Sequence, residues 1–522
     1  MLKPLNKPKY YPWFIFAFAL ISYLFNIGGS SIYILDEAKN ATCAAEMFSR
    51  GDLIVPTFNH ELRTDKPPLH YFFMMLSYSV FGVNAFSARF FSAVFGALTI
   101  LISFLFARRF HSEKTGLWTA FVLLASIHLN IQFHLAVPDP YLIFFFTASI
   151  FSFYAAIKEK RFIYLLLLYA SIGLGTLSKG PVAIGLPGLI FLLFLIFSKR
   201  FKWSEIKQLR PFLGAAIVLV IALPWYILVH IKTNGVWTDG FFFKHNLGRF
   251  SSEMEGHGGI FLITILFVLL GLFPFSAFIV QALKKAFANR KDDFTLLSLV
   301  AGLTIVVFFS ISRTKLPNYT VPAYPYFALL LGLWLAQLKF NFARPKASML
   351  GLLIFGIILI PALYIGISFD PALAHLKHLS LYFLPIPLGF SIAYFWFAKR
   401  RLKFAIKVIG ISSLLGAASF IAVVFPRIDQ ENPVAQSLHL LEGKEVRYFE
   451  KFNPSFSFYL QKEIKHLEAD EFANFFETYP DGVIISTKRK LEGISLPDEV
   501  EVSFSARDIM ERPTTVLLTR KN

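Results

Sequence analysis

The sequence predicts a polytopic α-helical membrane protein with a small soluble α/β domain at its C-terminal end. The first observation is composition: 56% of the 522 residues are hydrophobic and 16% are charged, whereas soluble proteins are about 25% charged. The second is the recurrence of apolar runs long enough to cross a bilayer core of about 30 Å. The third is a change near residue 427, beyond which charges become frequent and apolar runs shorten.

The apolar runs predict about 13 transmembrane helices. They centre on 12–29, 87–106, 115–133, 140–157, 162–178, 181–198, 211–231, 259–283, 294–311, 319–338, 347–368, 379–398 and 404–425. Lysines precede the first run, but no convincing small-residue cleavage site follows it, so we expect an uncleaved anchor rather than a signal peptide.

Positive charge is concentrated in alternate loops. These are the N-terminus, 108–109, 158–161, 199–210, 284–291, 339–346 and 399–403. Because Lys and Arg mark cytoplasmic loops, the N-terminus is predicted to be cytoplasmic, and an odd number of spans then puts the C-terminus outside. The formal net charge of +18 is explained either by this topology or by an anionic substrate such as a lipid phosphate.

Two domains follow from these patterns. Residues 1–426 form the membrane domain, in which 30–86 is a first outer loop with amphipathic helices. Residues 427–522 form an α/β domain outside the membrane. Its expected strands are 446–449, 483–486 and 516–519, and its expected helices are 433–441 and 468–478. Cys43 is the only cysteine in the sequence, which excludes an internal disulfide and a cysteine-based metal cluster.

The first outer loop carries two charged stretches. Asp36 and Glu37, followed by Lys39, leave the first span. A carboxylate there could act as a general base, or it could simply favour a helix N-terminus. Asp65 and Lys66 precede two prolines, which fix a turn and would hold the ammonium rigidly near the membrane face.

Four further outer stretches carry ionisable or polar side chains. Asp139 lies between two prolines, where it could cap a helix or serve a site. The others contain Lys179; His245, Arg249 and His257; and Lys315 and Tyr319. The two histidines could bind a metal together with Glu255, but their spacing matches no standard set. Because all these stretches fall on one predicted side of the membrane, they indicate a single site on the outer face.

The order and spacing of these stretches resemble a known family. Residues 35–39, 51–56, 65–69 and 81–83 are similar to the first outer loop of the aminoarabinose transferases and their protein O-mannosyltransferase relatives. These are GT-C glycosyltransferases that use polyprenyl-phosphate sugars. The resemblance continues through Asp139, 178–181, 224–226, 245–250, 255–259 and 315–319, and covers about the first 330 residues.

The resemblance implies roles for individual residues. Asp36 matches the catalytic carboxylate and Asp139 a second acid of the site. The residues that match donor-phosphate contacts are Lys66, Arg249 and Tyr319.

Two positions depart from the family pattern. Lys39 replaces the usual arginine and loses its bidentate fork. Asp65 replaces a glutamate that ligates a metal ion in the relatives, so a structural divalent ion is possible here. The remaining site candidates are Glu37, Lys179, His245, His257 and Lys315.

The resemblance implies a glycosyltransferase of the bacterial inner membrane with its active site on the periplasmic face. It would move a sugar from an undecaprenyl-phosphate donor to lipid A or another glycolipid; a protein Ser/Thr hydroxyl is the alternative acceptor. We expect no required cofactor and no nucleic-acid partner. A polyprenyl-sugar flippase or transporter is less favoured, because no internal repeat is visible and the ionisable residues gather at one face.

Overall fold

The computed structural model describes residues 8–248, 259–338, 345–510 and 513–521, and it is mostly helical. The helices of the membrane-embedded part are α1 Tyr11–Leu24, α2 Leu35–Arg50, α3 Leu69–Phe81, α4 Ala85–Phe110, α5 Glu113–Leu124, α6 Ile127–Gln132, α7 Asp139–Glu159, α8 Phe162–Lys179, α9 Val182–Phe197, α10 Trp203–Gln208, α11 Pro211–Lys232, α12 Val236–Asp239, α13 Phe261–Gly271, α14 Ile279–Ala288, α15 Asp293–Ile311, α16 Tyr324–Ala336, α17 Lys346–Ser368, α18 Pro385–Ala398 and α19 Leu402–Ser419.

Short 3₁₀ and π segments continue or join these helices. The 3₁₀ segments are Pro8–Tyr10, Phe275–Phe278, Pro317–Ala323, Ala374–Phe383, Leu438–Leu440 and Ala469–Glu471, and the π segments are Gly240–Gly248 and Phe420–Val424. A large apolar core joins helices α1, α4–α9 and α13–α19. The protein is therefore a multi-span membrane protein.

The number of spans is smaller than the apolar runs predict. Among the described residues, nine helical segments are long and apolar enough to cross a membrane, or ten if the bent pair formed by Phe261–Gly271 and Phe275–Ala288 is one span. The expected count of about 13 is not confirmed. Two of the other expected spans correspond to apolar helices of 14 and 16 residues, α1 and α9.

Two of the expected spans are interrupted, and the local sequence explains both breaks. The bent pair turns by 111° next to Pro274, which has no amide hydrogen to continue a helix. Between α5 and α6, the Asn130 side chain donates to the carbonyl oxygens of Leu124 and Ser126 at 2.7 and 2.9 Å. A side chain that bonds backbone carbonyls in this way competes with the helical ladder.

The first loop is tied to the membrane helices by a buried ion pair. Arg89 of α4 lies 2.7 and 2.8 Å from the two carboxylate oxygens of Glu37, and the exposed fractions of the two side chains are 2% and 0%. Arg89 also donates to the carbonyl oxygens of Ile27, Ser30 and Ser31 at 2.7–2.9 Å. Glu37 in turn accepts from the Ala136 amide at 2.7 Å. These bonds fix the chain on both sides of the start of α2.

The C-terminal residues form a sheet domain. Its elements are α20 Phe425–Asp429, α21 Pro433–Ser437, β3 Val446–Tyr448, α22 Ser455–Leu460, β4 Lys465–His466, α23 Phe472–Thr478, β5 Val483–Thr487, α24 Lys488–Leu491, β6 Val500–Arg507 and β7 Thr514–Arg520. The strand order is β4-β3-β5-β7-β6. β3 runs parallel to β4 and β5, whereas β7 pairs antiparallel with β5 and β6. The buried strand β5 lies at the centre.

Two side chains of this domain accept hydrogen bonds from the chain just before α2 and dock the domain there. The Asp429 carboxylate accepts from the Ser31 amide and hydroxyl at 2.6 and 2.7 Å. The Tyr459 hydroxyl accepts from the Ile32 amide at 2.7 Å. A second contact involves the hairpin of β1 Thr57–Phe58 and β2 Glu61–Leu62.

Asn59 lies in the turn of that hairpin, and both turn residues have positive φ, as two-residue hairpin turns require. Its side chain exchanges two hydrogen bonds of 2.9 Å with the backbone of Ile464. The sheet domain therefore contacts the first loop both before α2 and at the hairpin.

We predict that Arg89→Met or Glu37→Gln lowers the free energy of unfolding by about 3–5 kcal/mol, because each leaves an uncompensated buried charge or donor. Thermal unfolding in detergent measures the effect. The double variant Arg89→Met/Glu37→Met, which removes both charges, is expected to be more stable than Arg89→Met alone. Single variants that unfold like the wild type would contradict the role of this pair.

Candidate active site

One cavity of about 530 Å³ gathers six of the residues that the sequence singled out. They are Asp65, Lys66, Asp139, Lys179, His245 and Tyr319. The rest of the wall is largely apolar, with contributions from Leu142, Val182, Leu186, Phe241, Phe242, Phe308, Phe309 and Pro322. The cavity thus combines a charged group of side chains with a hydrocarbon-like wall.

Asp139 and Lys179 form an ion pair in the wall of this cavity. The Lys179 ammonium lies 2.5 Å from the Asp139 carboxylate, which is 7% exposed. Asn318 also donates to that carboxylate at 3.3 Å. The ammonium lies 5.5 Å from the centroid of the Tyr319 ring, within the distance of a cation–π contact. Residues from three separate segments therefore meet around one carboxylate.

The local sequence explains why these groups meet. Asp139 is the first residue of α7, and Pro140 follows it in the first turn, where proline is well tolerated. Lys179 is the last residue of α8, and Gly180 ends the helix with φ +81°. A Cβ at Gly180 would lie 2.5 Å from the Phe241 ring, so the close approach of the 240–248 segment needs glycine here.

Lys66 reaches the cavity from the first loop. Its side chain is buried, and the two prolines after it lead directly into α3, which begins at Leu69. The preceding backbone is also fixed, because the Trp237 indole donates to the Arg63 carbonyl oxygen at 2.9 Å. The Lys66 side chain is therefore placed at the cavity by a fixed backbone on both sides.

Asp65 is held by Arg63 in a bidentate pair with distances of 3.2 and 3.1 Å. Burial alone would raise the pKa of Asp65, but Arg63, Lys66 and His245 together lower it well below its usual range. Asp65 also lines a second, smaller cavity of about 170 Å³, together with Lys39 and Arg63. The two cavities therefore share one ionised carboxylate. Among the described residues, the two cavities together are lined by four cationic side chains and three carboxylates: Lys39, Arg63, Lys66 and Lys179, and Glu61, Asp65 and Asp139.

Asp36 occupies the first turn of α2 and is exposed. It lines neither cavity as the described residues define them. Lys39, one turn further along α2, lines the smaller cavity. Since residues three apart lie on the same side of a helix, Asp36 is on the side of α2 that faces this smaller cavity.

Two other candidates that the structure describes, Glu37 and Lys315, line neither cavity. Glu37 is committed to the buried pair with Arg89. Lys315 is buried and donates to the Ser312 carbonyl oxygen at 2.5 Å, and Ser312 itself lines the large cavity. Arg249 and His257 lie outside the described residues.

The described residues do not fit a metal centre at Asp65. Both oxygens of Asp65 accept from Arg63, and a metal ion would compete with that pair. Within the described ranges, no group of three or more His, Cys, Asp or Glu is placed to hold a metal ion. We therefore derive no chemical step through a metal.

Arg63 and Arg89 hold the carboxylates of Asp65 and Glu37, but the sequence motifs do not predict either arginine as a site residue. Arg89 is a single cation near the start of an apolar helix, and such a charge inside a predicted span signals a partner. Arg63 is two residues before Asp65, but nothing in the loop sequence indicates that it pairs with that carboxylate. Asn318 lies within a stretch that the sequence did single out, next to Tyr319.

The fold and this cavity define a membrane protein whose site suits an anionic group attached to an apolar chain. Three comparisons with known proteins agree with that class. Residues 65–228 match the family model described as dolichyl-phosphate-mannose-protein mannosyltransferase.

Curated relatives match most of the chain. The undecaprenyl phosphate-alpha-4-amino-4-deoxy-L-arabinose arabinosyl transferase 2 of Pseudomonas fluorescens is 28% identical over 443 residues, which are 82% of this chain and 78% of that protein. A protein of Aquifex aeolicus is 30% identical over 349 residues, 66% of this chain and 78% of that protein.

The same architecture occurs in a solved structure. The crystal structure of ArnT from Cupriavidus metallidurans bound to undecaprenyl phosphate has a TM-score of 0.79, covers 98% of both chains and is 21% identical, which shows the fold. Taken with the sequence matches, the chain belongs to the GT-C glycosyltransferases that use polyprenyl-phosphate-linked sugars. It is a sugar transferase, and the family expected from the loop motifs is confirmed.

We predict that Asp65→Asn lowers the free energy of unfolding by about 3 kcal/mol at pH 7, because the buried guanidinium of Arg63 loses its ionised partner. Since the pKa of Asp65 is lowered in the folded protein, ionised Asp65 stabilises the fold above its ordinary pKa of about 3.9. That contribution is lost as the pH falls through the lower folded pKa.

The difference between the wild type and Asp65→Asn is therefore expected to shrink below about pH 4. Denaturant unfolding in detergent at pH 7, 5, 4 and 3 measures it, with the exposed Asp481→Asn as the control. A difference that stays constant over this range would contradict the assignment.

Proposed function

We propose that this enzyme transfers a sugar from an undecaprenyl-phosphate carrier to lipid A or another envelope glycolipid, at the periplasmic face of the bacterial inner membrane. The observation that carries the proposal is the large cavity, where Lys66 and Lys179 stand beside an apolar wall. A lipid phosphate needs both features, a cationic site for its head and an apolar surface for its chain. The relative named as an aminoarabinose transferase uses such a donor.

Lys66, Arg249 and Tyr319 are our proposed contacts to the donor phosphate. Lys66 lines the cavity, and Tyr319 lies against the Lys179 ammonium. Asp139 orients Lys179 through the 2.5 Å contact. As the bond between the anomeric carbon and the phosphate oxygen breaks, negative charge grows on the phosphate, and fixed cations stabilise it best at that moment. The fixed cations serve the leaving group, so we propose that no nucleotide or other cofactor is required.

Asp36 is our proposed general base. It stands on the side of α2 that faces the smaller cavity, next to Lys39, whose positive charge suits an anionic acceptor such as a lipid A phosphate. The carboxylate takes the proton of an acceptor hydroxyl, or orients an acceptor phosphate that is already ionised, as the acceptor oxygen bonds to the anomeric carbon. The polyprenyl phosphate leaves with the electron pair of the broken bond. A single displacement of this kind inverts the anomeric centre.

The proposed orientation follows the distribution of charge in the structure. Lys158 and Arg200 contact Asp293 at 2.6 and 2.8 Å, at the end of the helices opposite to the Asp139–Lys179 pair. Because Lys and Arg are enriched in cytoplasmic loops, we place that end in the cytoplasm. The site and the C-terminal sheet domain are then periplasmic.

A protein Ser/Thr hydroxyl is the second candidate acceptor. The family model that matches residues 65–228 is described as a protein mannosyltransferase, which favours this alternative. A glycolipid acceptor would leave the transferred label in the organic phase, whereas a protein acceptor would leave it in the precipitated protein.

We predict that Asp36→Asn reduces turnover at least 100-fold, since general-base catalysis contributes about 10²–10⁴-fold, while donor binding is retained. The assay uses protein in nanodiscs, a panel of radiolabelled polyprenyl-phosphate sugars and an envelope extract as acceptor source. Asp481→Asn is the control. Near-normal turnover by folded Asp36→Asn would remove Asp36 from the mechanism. Transport of labelled carrier across a sealed bilayer without any donor consumption would instead indicate a flippase.

We predict that Lys66→Gln weakens binding of undecaprenyl phosphate about 10- to 100-fold, because a hydrogen bond to a charged group contributes about 1.5–3 kcal/mol. Binding in detergent is measured by microscale thermophoresis. Lys232→Gln is the matched control, because Lys232 is half-exposed and pairs with Asp52 outside the large cavity. Equal weakening by both variants would indicate a general charge effect rather than a phosphate site at Lys66.

A further inference from the structure

An apolar groove of about 450 Å³ lies between α4, α7 and α8. It shares no lining residue with the active-site cavity. Its walls come from leucine, phenylalanine and alanine side chains such as Leu105, Phe145, Ala148, Phe151, Ala170 and Leu174. The large aromatic side chains leave space beside the small alanines, and that space suits a flexible hydrocarbon chain.

The length of the groove matches one leaflet of a membrane. Along α7 its lining extends from Phe144 to Ala155, roughly 16 Å at about 1.5 Å per residue. This is close to half of the hydrocarbon thickness of about 30 Å. The groove therefore has room for a single chain that enters from one membrane surface and ends near the bilayer centre.

The mouth of the groove is basic. Arg109 and Tyr164 both line it, and the guanidinium carbons of Arg109 and Arg161 lie 5.7 and 5.9 Å from the centroid of the Tyr164 ring. Arg109 also pairs with Glu159. Among the described residues, no carboxylate lies within ion-pair distance of Arg161, which is exposed. Two guanidinium groups and one carboxylate leave the mouth positively charged.

We propose that this groove binds one acyl chain of an anionic phospholipid, whose phosphate lies against Arg109 and Arg161. The apolar walls favour binding of an acyl chain. The net positive charge of the mouth favours an anionic head group, since each cation near a membrane surface contributes about 1 kcal/mol to anionic-lipid binding. The mouth of the groove lies at the opposite end of α7 and α8 from Asp139 and Lys179. A lipid in the groove fills the space between the two helices that carry this ion pair.

Native mass spectrometry of the full chain in detergent tests the proposal. The protein is mixed with equal amounts of phosphatidylglycerol and phosphatidylcholine that carry the same acyl chains. We expect the wild type to retain one phosphatidylglycerol with at least fivefold preference. Arg161→Gln is expected to reduce that preference about fivefold, whereas Arg290→Gln, in another basic loop, leaves it unchanged.

A second pair of variants tests the groove itself. Ala170→Phe fills the groove and is expected to abolish retention, whereas Ala362→Phe on the exposed surface of α17 does not change it. Arg161 is exposed, so Arg161→Gln carries the test even if Ala170→Phe fails to fold.

Three results would overturn the proposal. The first is equal retention of both phospholipids with no effect of Arg161→Gln, which would indicate ordinary lipid contact at the protein surface. The second is unchanged retention by folded Ala170→Phe, which would place the lipid elsewhere. The third is preferential retention of added undecaprenyl phosphate, with the same sensitivity to these variants, which would assign the groove to the polyprenyl carrier.

Discussion

Burying a charge is costly unless an opposite charge and hydrogen bonds accompany it, and three ion pairs, each with at least one buried side chain, organise the part of this protein around the candidate site. Arg89–Glu37 joins α4 to α2, Arg63–Asp65 shapes the loop before Lys66, and Lys179–Asp139 joins the ends of α8 and α7. The segments that these pairs hold include α2, the first loop, α7 and α8, which carry the candidate site residues. The positions of Asp36, Lys66 and Tyr319 therefore depend on these electrostatic contacts as well as on apolar packing.

The C-terminal sheet domain extends this network from the other side. Asp429 and Tyr459 hold the backbone of Ser31 and Ile32, just before helix α2, which carries Asp36 in its first turn. Arg89 holds the carbonyl oxygens of the same short stretch. The start of α2 is thus fixed between the membrane helices and the sheet domain, which gives the sheet domain a structural role next to the proposed general base.

Much of the architecture could be predicted from the sequence, because lipid imposes a simple rule: backbone groups in the membrane must be satisfied within helices. The rule locates apolar helices but not their breaks. The side chain of Asn130 interrupts one predicted span, and the bend beside Pro274 interrupts another. Strand β6 is absent from the predicted strands, although its apolar residues alternate with polar ones, a pattern typical of a half-buried strand.

For the candidate site, the sequence predicts most of the residues but not the contacts between them. The loop motifs predict a set of candidate site residues, and the structure brings six of them into one cavity. The sequence could not pair Glu37 with Arg89 or Asp65 with Arg63, because those contacts depend on the tertiary fold. Without such knowledge, two adjacent acids such as Asp36 and Glu37 are equivalent in the sequence, although one is exposed and the other is buried in an ion pair.

The most direct test of the central claim is a cryo-electron microscopy structure of the protein in nanodiscs with undecaprenyl phosphate. The account predicts phosphate density in the large cavity within hydrogen-bond distance of the Lys66 ammonium, with the prenyl chain along the wall formed by Phe308 and Phe309. Phosphate density outside this cavity, with Lys66 making no contact to it, would contradict the account.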